Sequence, residues 1–333
     1  MLSEIHEQPD VWTNLCNSTG EIDAVARLLT RRAPRVIMTV ARGSSDHAAL
    51  YGRYLAQIKL GLPTADVLPS VHTVWGRDAF PADGCLLAIS QSGASPDIVS
   101  SVERARSAGS MTVAVTNDPL SDLARAAEVV LLLAAGPERA IAATKSYTAS
   151  LVVLRLLLGA MSGETATERA ALGRRLASGF AETVAATVQD LPRWDALLSG
   201  AATAHVVARG PGLATAREAA LKLTETCRIT AQGWSAADIL HGPMAAVGAH
   251  TPVLCLDPGE RGRASVYAAA AAARQRGAPV VLVRAGIIDR GLADEDRVPV
   301  EVVPFQLLAH AVSTSRGLDP DQPQGLSKVT RTT

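Results

Sequence analysis

Short apolar runs rich in β-branched residues recur along the chain, each closed by turn residues: Arg35 to Val40, Cys85 to Ser90, Met111 to Thr116 and Val129 to Leu133. A strand covered on one face alternates apolar and polar residues, whereas a strand buried on both faces is apolar throughout. These runs therefore predict parallel strands in an α/β structure, with the longer segments of helical period between them as the covering helices. The pattern then returns at a nearly constant offset of 167 residues. Val40-Ala41-Arg42-Gly43 recurs as Val207-Ala208-Arg209-Gly210, Ile89-Ser90 aligns with Leu256-Asp257, and Val113 to Thr116 meets Val280 to Val283. A register kept over three strands predicts an internal duplication of one doubly wound, flavodoxin-like unit, a parallel sheet flanked by helices. The expected division is residues 1–165 and 166–318, with the polar segment Ser162 to Arg175 at the junction and a tail over 319–333.

Composition narrows the partners. At 333 residues and 48% hydrophobic content the chain is long enough for two cores, and its formal net charge of zero gives no reason to expect nucleic acid or a membrane surface. The N-terminal residues Glu4, Glu7 and Asp10 precede no apolar run, so no secretory signal is expected. The most apolar stretch, Leu151 to Met161, is interrupted by Arg155 and is shorter than the ~20 residues that cross a bilayer. A cytoplasmic protein is expected. Cys16, Cys85, Cys227 and Cys255 lie far apart with no CxxC pair, which predicts reduced thiols and neither zinc nor disulfides. The 32 basic residues comprise 28 Arg and only Lys59, Lys145, Lys222 and Lys328. A coding bias that favours Arg leaves Lys chiefly where a tunable ammonium or imine chemistry requires it, so these four positions merit inspection.

In an open parallel sheet, ligands bind beyond the carboxyl ends of the strands. In the first copy two strands end in hydroxyl-rich turns, Gly43-Ser44-Ser45-Asp46 and Ser90-Gln91-Ser92-Gly93-Ala94-Ser95, each leading into a helical pattern. Converging backbone N–H groups and small hydroxyls suit a phosphate monoester, although Ser92 and Ser95 ahead of Pro96 would equally serve as helix caps. No Walker lysine follows Gly93 and no GxGxxG is present, which argues against nucleoside triphosphates and dinucleotides. The second copy offers Asp257-Pro258-Gly259-Glu260, whose carboxylates would repel a phosphate.

The second copy has different chemistry to offer. Residues Arg217 to Glu225 are strongly helix-forming, and Glu218, Lys222 and Glu225 share one face. Spacing alone is equally satisfied by an exposed Glu-to-Lys pair worth ~0.3 to 0.5 kcal/mol and by a carboxylate poised for proton transfer beside an ammonium. His241 precedes a Gly-Pro turn, and Asp319 to Lys328 is too rich in proline for a helix.

Taken together, Ala41 to His47, Ser90 to Gly93, Ala143-Thr144-Lys145-Ser146, the Glu218 to Glu225 helix, His241-Gly242-Pro243 and the tail around Lys328 resemble sugar isomerase domains. The likeness is to the isomerase half of glucosamine-6-phosphate synthase and, more closely, to the short class II glucosamine-6-phosphate deaminases. It implies two tandem sugar isomerase subdomains and an aldose-ketose isomerase or deaminase acting on an amino sugar phosphate without a cofactor. Ser44, Ser45, Ser90, Gln91, Ser92 and Ser95 would hold the 6-phosphate and the sugar hydroxyls. Glu225 would move a proton between C1 and C2, with Lys222 and Glu218 positioning the open chain. His241 would open the ring, reaching into the site of a neighbouring subunit in a homodimer. Lys328 would form an imine with the ketose, which gives the tail a reason to close over bound sugar.

Some residues depart from that pattern. About 35 residues precede the first strand, so no glutaminase activity is expected and the deaminating direction, glucosamine 6-phosphate to fructose 6-phosphate and ammonia, is favoured. Ala143 stands where the synthase has a serine near the sugar, and Gln232-Gly233-Trp234 replaces an acidic, alanine and aromatic run. Galactosamine 6-phosphate deamination or fructosamine 6-phosphate deglycation is thus an alternative. A non-catalytic phosphosugar sensor is an alternative of another class, although it would have no use for Glu225, His241 and Lys328 together.

Overall fold

A computed structural model describes residues 1–257, 259–285 and 291–328. The polypeptide forms two compact units that exchange short segments of chain. One comprises Asp10–Glu138 and Lys145–Gly173 together with Ser327 and Lys328; the other comprises Met1–Pro9, Arg139–Thr144 and, among the described residues, the chain from Arg174 to Leu326.

The first unit is built on five parallel strands: β1 (Val36–Val40), β2 (Thr64–Asp66), β3 (Gly84–Ile89), β4 (Met111–Thr116) and β5 (Val129–Leu132), in the order β2-β1-β3-β4-β5. Every residue of β3 and β4 is buried, which is why these runs lack alternation. The second unit has four: β6 (Thr203–Ala208), β7 (Thr230–Ser235), β8 (Val253–Leu256) and β9 (Val280–Val283), in the order β7-β6-β8-β9. Its pairings are likewise all parallel. Both sheets therefore follow the same doubly wound order, as the duplication predicts.

The offset of 167 aligns all four strands of the second sheet with strands of the first, including the edge pair β2 and β7 that hydrophobic patterning missed. The fifth strand has no counterpart among the described residues. Its equivalent positions are Asp296-Arg297-Val298-Pro299, where a proline opens the short helix Val298–Glu301. The polar junction is a short turn leading into the long helix Ala166–Leu198.

The apolar stretch lies in helix Lys145–Met161, of which residues 145–159 are all buried. Arg155 does not interrupt the packing, because its guanidinium donates to Glu164 at 2.6 Å, and Lys59 donates to the other oxygen of that carboxylate at 2.9 Å. Gly159 leaves room for this pair: a Cβ there would lie 2.3 Å from the Arg155 guanidinium and 2.4 Å from the Glu164 carboxylate, so a side chain would displace them. No helix among the described residues is long and apolar enough to cross a membrane. All four cysteines are buried free thiols, and burial pushes Cys85 and Cys255 up to about 12 and Cys16 and Cys227 up to about 11.

Candidate active site

Strand order in the first unit reverses between β1 and β3, and the two hydroxyl-rich turns follow those two strands. Gly43 takes φ +54° and starts helix Ser44–Leu60, so Ser44 and Ser45 occupy its first turn. The start of a helix is the kind of place where backbone amides can face an anion.

The second turn is pinned to the end of β4. The amide of Asn117 donates to the Gln91 carbonyl at 3.1 Å, and that of Leu123 donates to the Gly93 carbonyl at 3.0 Å. Within the turn, the Ser90 hydroxyl accepts from the Gly93 amide at 3.2 Å and the Ser92 hydroxyl from the Ala94 amide at 3.4 Å. Gly93 has φ +60° and fits so closely that a Cβ would stand 2.2 Å from the Ser121 hydroxyl. Ser95 occupies the N-cap position of helix Pro96–Ser107, but its hydroxyl makes no capping bond. The capping alternative therefore finds no support at Ser95.

Sequence reasoning gave no role to Arg42. Its guanidinium donates to the buried Asp97 carboxylate at 2.7 Å, linking the turn after β1 to the helix after β3. Asp97 by itself would oppose an anion in this crevice; Arg42, about half exposed, cancels that charge.

In the second unit, Glu218, Lys222 and Glu225 lie on helix Leu213–Cys227. The Lys222 ammonium is 3.4 Å from Glu218 and donates to Glu225 at 2.5 Å. Glu218 and Lys222 are fully buried and the Glu225 side chain is 24% exposed, so of the two readings that the spacing allows the exposed pair is ruled out. The duplication shows how unusual this is. Helix Ser44–Leu60 is the counterpart of this helix, and Tyr51, Leu55 and Ile58 are the residues equivalent to Glu218, Lys222 and Glu225. Tyr51 and Leu55 are fully buried and Ile58 is half exposed, so two uncharged core positions of one copy hold an acid and a base in the other. Buried charge is costly unless paired, and clusters of this kind gather at functional sites.

Glu225 also lines a cavity of about 380 Å³ together with Thr224, Arg228 and the tail residues Asp319, Gln322 and Gln324. His241 ends the short 3-10 helix Asp238–His241 and is exposed. The Gln232-Gly233-Trp234 departure lies on edge strand β7, where a Cβ on Gly233 would meet the backbone of Ala216 at 2.6 Å. Close strand-to-helix approach thus explains the glycine. At the end of β8, the Asp257 carboxylate accepts from Arg263 at 3.2 Å, Arg284 at 3.0 Å and Tyr267 at 3.2 Å, so its charge is compensated.

Lys328 and Ala143 complete the expected set. Lys328 belongs to the first unit, where its ammonium donates at 2.9 Å to Glu138, a residue that the sequence gave no reason to single out. Ala143 belongs to the segment Arg139–Thr144 of the second unit and is partly buried.

With this fold and these clusters, the chain belongs to the SIS domain family, whose pattern it matches over residues 31–160 and 197–285. It is 33% identical to a glutamine–fructose-6-phosphate aminotransferase (isomerizing) of Methanothermobacter thermautotrophicus over 98% of this chain and 56% of that one. The chain thus spans a little over half the length of the curated relatives it matches. The crystal structure of a candidate phosphosugar isomerase from Silicibacter pomeroyi superposes with a TM-score of 0.83 at 32% identity, covering 96% of this chain and 98% of that one. A glucosamine-6-phosphate deaminase from Thermotoga maritima has the same fold, with a TM-score of 0.83 at 20% identity over 99% of both chains.

Proposed function

We propose that the protein is a phosphosugar isomerase that deaminates a hexosamine 6-phosphate, converting glucosamine 6-phosphate to fructose 6-phosphate and ammonia in the cytoplasm. The observation that carries this reading is the buried Glu218–Lys222–Glu225 cluster, because a module that only bound a phosphosugar would gain nothing from charging two core positions. Its kinship with isomerising aminotransferases supports chemistry at C1 and C2 of a hexose phosphate.

In this reading Ser44, Ser45, Ser90, Gln91, Ser92 and Ser95 bind the phosphate and hydroxyls, with Ala143 beside the sugar. His241 protonates the ring oxygen to open the pyranose, acting in the site of a second subunit of a homodimer, for which its exposure leaves it available. The free aldehyde acidifies the C2 proton, and Glu225 removes it. Lys222 and Glu218 hold Glu225 and the developing oxyanion at C1 in place. Returning the proton to C1 converts the resulting enaminol into a ketimine at C2. Water adds to that carbon and ammonia leaves, giving the ketose. Lys328 takes up the ketose as an imine.

The test is incubation with glucosamine 6-phosphate, and with galactosamine 6-phosphate in parallel, following ammonia and ketose phosphate. Glu225→Gln should lower turnover by at least the ~10²-fold typical of a positioned general base. Release of ammonia from the galacto epimer alone would assign the substrate differently. Tight phosphosugar binding without turnover of either would overturn the deaminase reading and leave a deglycase with a larger substrate or a sensor.

A further inference from the structure

Helix Lys145–Met161 opens beside a carboxylate that no assigned role requires. The Glu138 side chain is fully buried, yet it lies in the segment between β5 and this helix, where one acid sits in an alanine- and glycine-rich stretch. Its oxygens divide two tasks. Oε1 accepts from the Ser146 amide at 3.0 Å and so serves the helix N-terminus. Oε2 accepts from the Ser146 hydroxyl at 2.6 Å and from the Lys328 ammonium at 2.9 Å. The segment before Glu138 is fixed as well, since Asn117 donates to the Gly136 carbonyl at 2.8 Å and accepts from the Ala135 amide at 3.0 Å. Burial alone would push the Glu138 carboxyl up, but the Lys328 ammonium and both Ser146 donors outweigh it and hold the group below the usual carboxylate range.

A helix cap needs one acceptor oxygen, and a neutral side chain would supply it. The second oxygen and the negative charge remain unexplained by capping. They meet an ammonium whose side chain is 27% exposed while the carboxylate itself is inaccessible. Glu138 therefore cannot touch a ligand, but the lysine it holds can.

We propose that Glu138 is the positioning residue for Lys328, seating its Nζ and the tail that bears it for imine formation with the ketose phosphate. The proposal rests on the reading of Lys328 given above and adds the group that makes that lysine effective. The step itself balances: the ammonium gives up a proton, the amine adds to the C2 carbonyl, and the carbinolamine loses water to leave an imine. An amine on an exposed tail would otherwise sample many positions, and misplacement by about 1 Å costs on the order of 10²-fold.

Reductive trapping reads this step without requiring deaminase turnover. The full chain is incubated with saturating fructose 6-phosphate and borohydride, which reduces the imine to a stable secondary amine, and the Lys328 peptide is quantified by mass. Wild type is expected to be labelled there, and Lys328→Ala is not. Glu138→Gln keeps an acceptor for the Ser146 amide but turns an NH2 group toward the ammonium, and should slow labelling about tenfold or more. Its affinity for glucitol 6-phosphate, an alcohol that cannot form an imine, should stay within about twofold, because positioning and not binding is lost. Glu138→Asp, which retains the charge but withdraws it by one methylene, should fold even where the glutamine variant does not and should lose a smaller part of the rate.

Labelling of both Glu138 variants at the wild-type rate would overturn the proposal and leave Glu138 a helix cap. So would equal losses in labelling and in glucitol 6-phosphate affinity, which a general structural defect produces. An unlabelled wild type would instead refute the assignment of Lys328, and the proposal would fall with it.

Discussion

Lys222 is the position where the charge argument can be tested most sharply, because the duplication supplies its own control. The equivalent residues of the first copy, Tyr51 and Leu55, carry no charge and are as fully buried as Glu218 and Lys222. Lys222→Leu alone removes the cation and leaves Glu218 at full burial with its nearest positive charge gone. Breaking a buried pair in this way costs about 3 to 5 kcal/mol, whereas replacing both partners by apolar residues is about neutral or stabilising by up to ~4 kcal/mol. For a chain of this length unfolding as one unit, an entropy near ~0.7 kcal/mol/K converts the single loss into a Tm drop of about 4 to 7 °C. Glu218→Leu combined with Lys222→Leu should recover most or all of that drop, since Glu225 reaches solvent by its own exposure. Calorimetric unfolding of the wild type, the single and the double variant measures both steps, and an ammonia-release assay should find both variants inactive. A double variant at least as destabilised as the single one would refute the view that uncompensated charge, and not lost packing, makes the single change costly.

Other consequences can be checked separately. Gly93→Ala places a methyl against the Ser121 hydroxyl at a φ of +60°, so it should weaken phosphosugar binding by about tenfold or more, measured by calorimetry, and wild-type affinity would exclude the Ser90–Ser95 turn as the cradle. Arg42→Ala leaves the buried Asp97 carboxylate unopposed beside that turn; affinity for inorganic phosphate should fall about tenfold, and Asp97→Ala in the same background should restore part of it. Burial raises the Glu301 carboxyl to about 8, with Arg297 opposing the rise and Asp294 and Asp257 adding to it. Between about pH 4.5 and 8 the folded chain therefore keeps a proton that the unfolded chain has lost, and stability falls as pH rises through that window by at most about 1.4 kcal/mol per pH unit. Glu301→Gln should flatten the decline in Tm between pH 5 and pH 8, and an unchanged slope would show that the carboxyl titrates normally.

How far the fold could be read from the chain depended on burial. Strands β3 and β4 are covered on both faces, so their residues carry an unbroken apolar signal, and the sequence placed β4 at its observed bounds. Strands β2 and β7 lie at sheet edges, where exposure permits Thr64-Ala65-Asp66 and Thr230 to Ser235, runs that resemble loops. The constant offset nonetheless pairs the two edge strands, since Thr64–Asp66 falls opposite residues 231–233. The same alignment exposes where the copies diverge, since Pro299 cannot continue a ladder in the position that Val129–Leu132 fills in the first sheet.

The candidate site was legible as spacing but not as environment. The i, i+4 and i+7 placement of Glu218, Lys222 and Glu225 fits a solvated helix face as well as a buried one, and only the uncharged, bulky identity of Tyr51 and Leu55 indicates which face it is. Glu138 left no pattern at all, because its partners Ser146 and Lys328 are 8 and 190 residues away. The scarcity of lysine offers a second line of reading beside the local motifs. Lys59 shares the Glu164 carboxylate with Arg155, a task within reach of a second arginine. Lys222 is a compact cation fully enclosed with two carboxylates, where a planar guanidinium would need more room and more acceptors. Lys328 presents a partly exposed amine over a buried carboxylate, and a guanidinium could not form the imine proposed for it. Where a composition favours arginine this strongly, the lysines that remain are the first places to test for chemistry that arginine cannot perform.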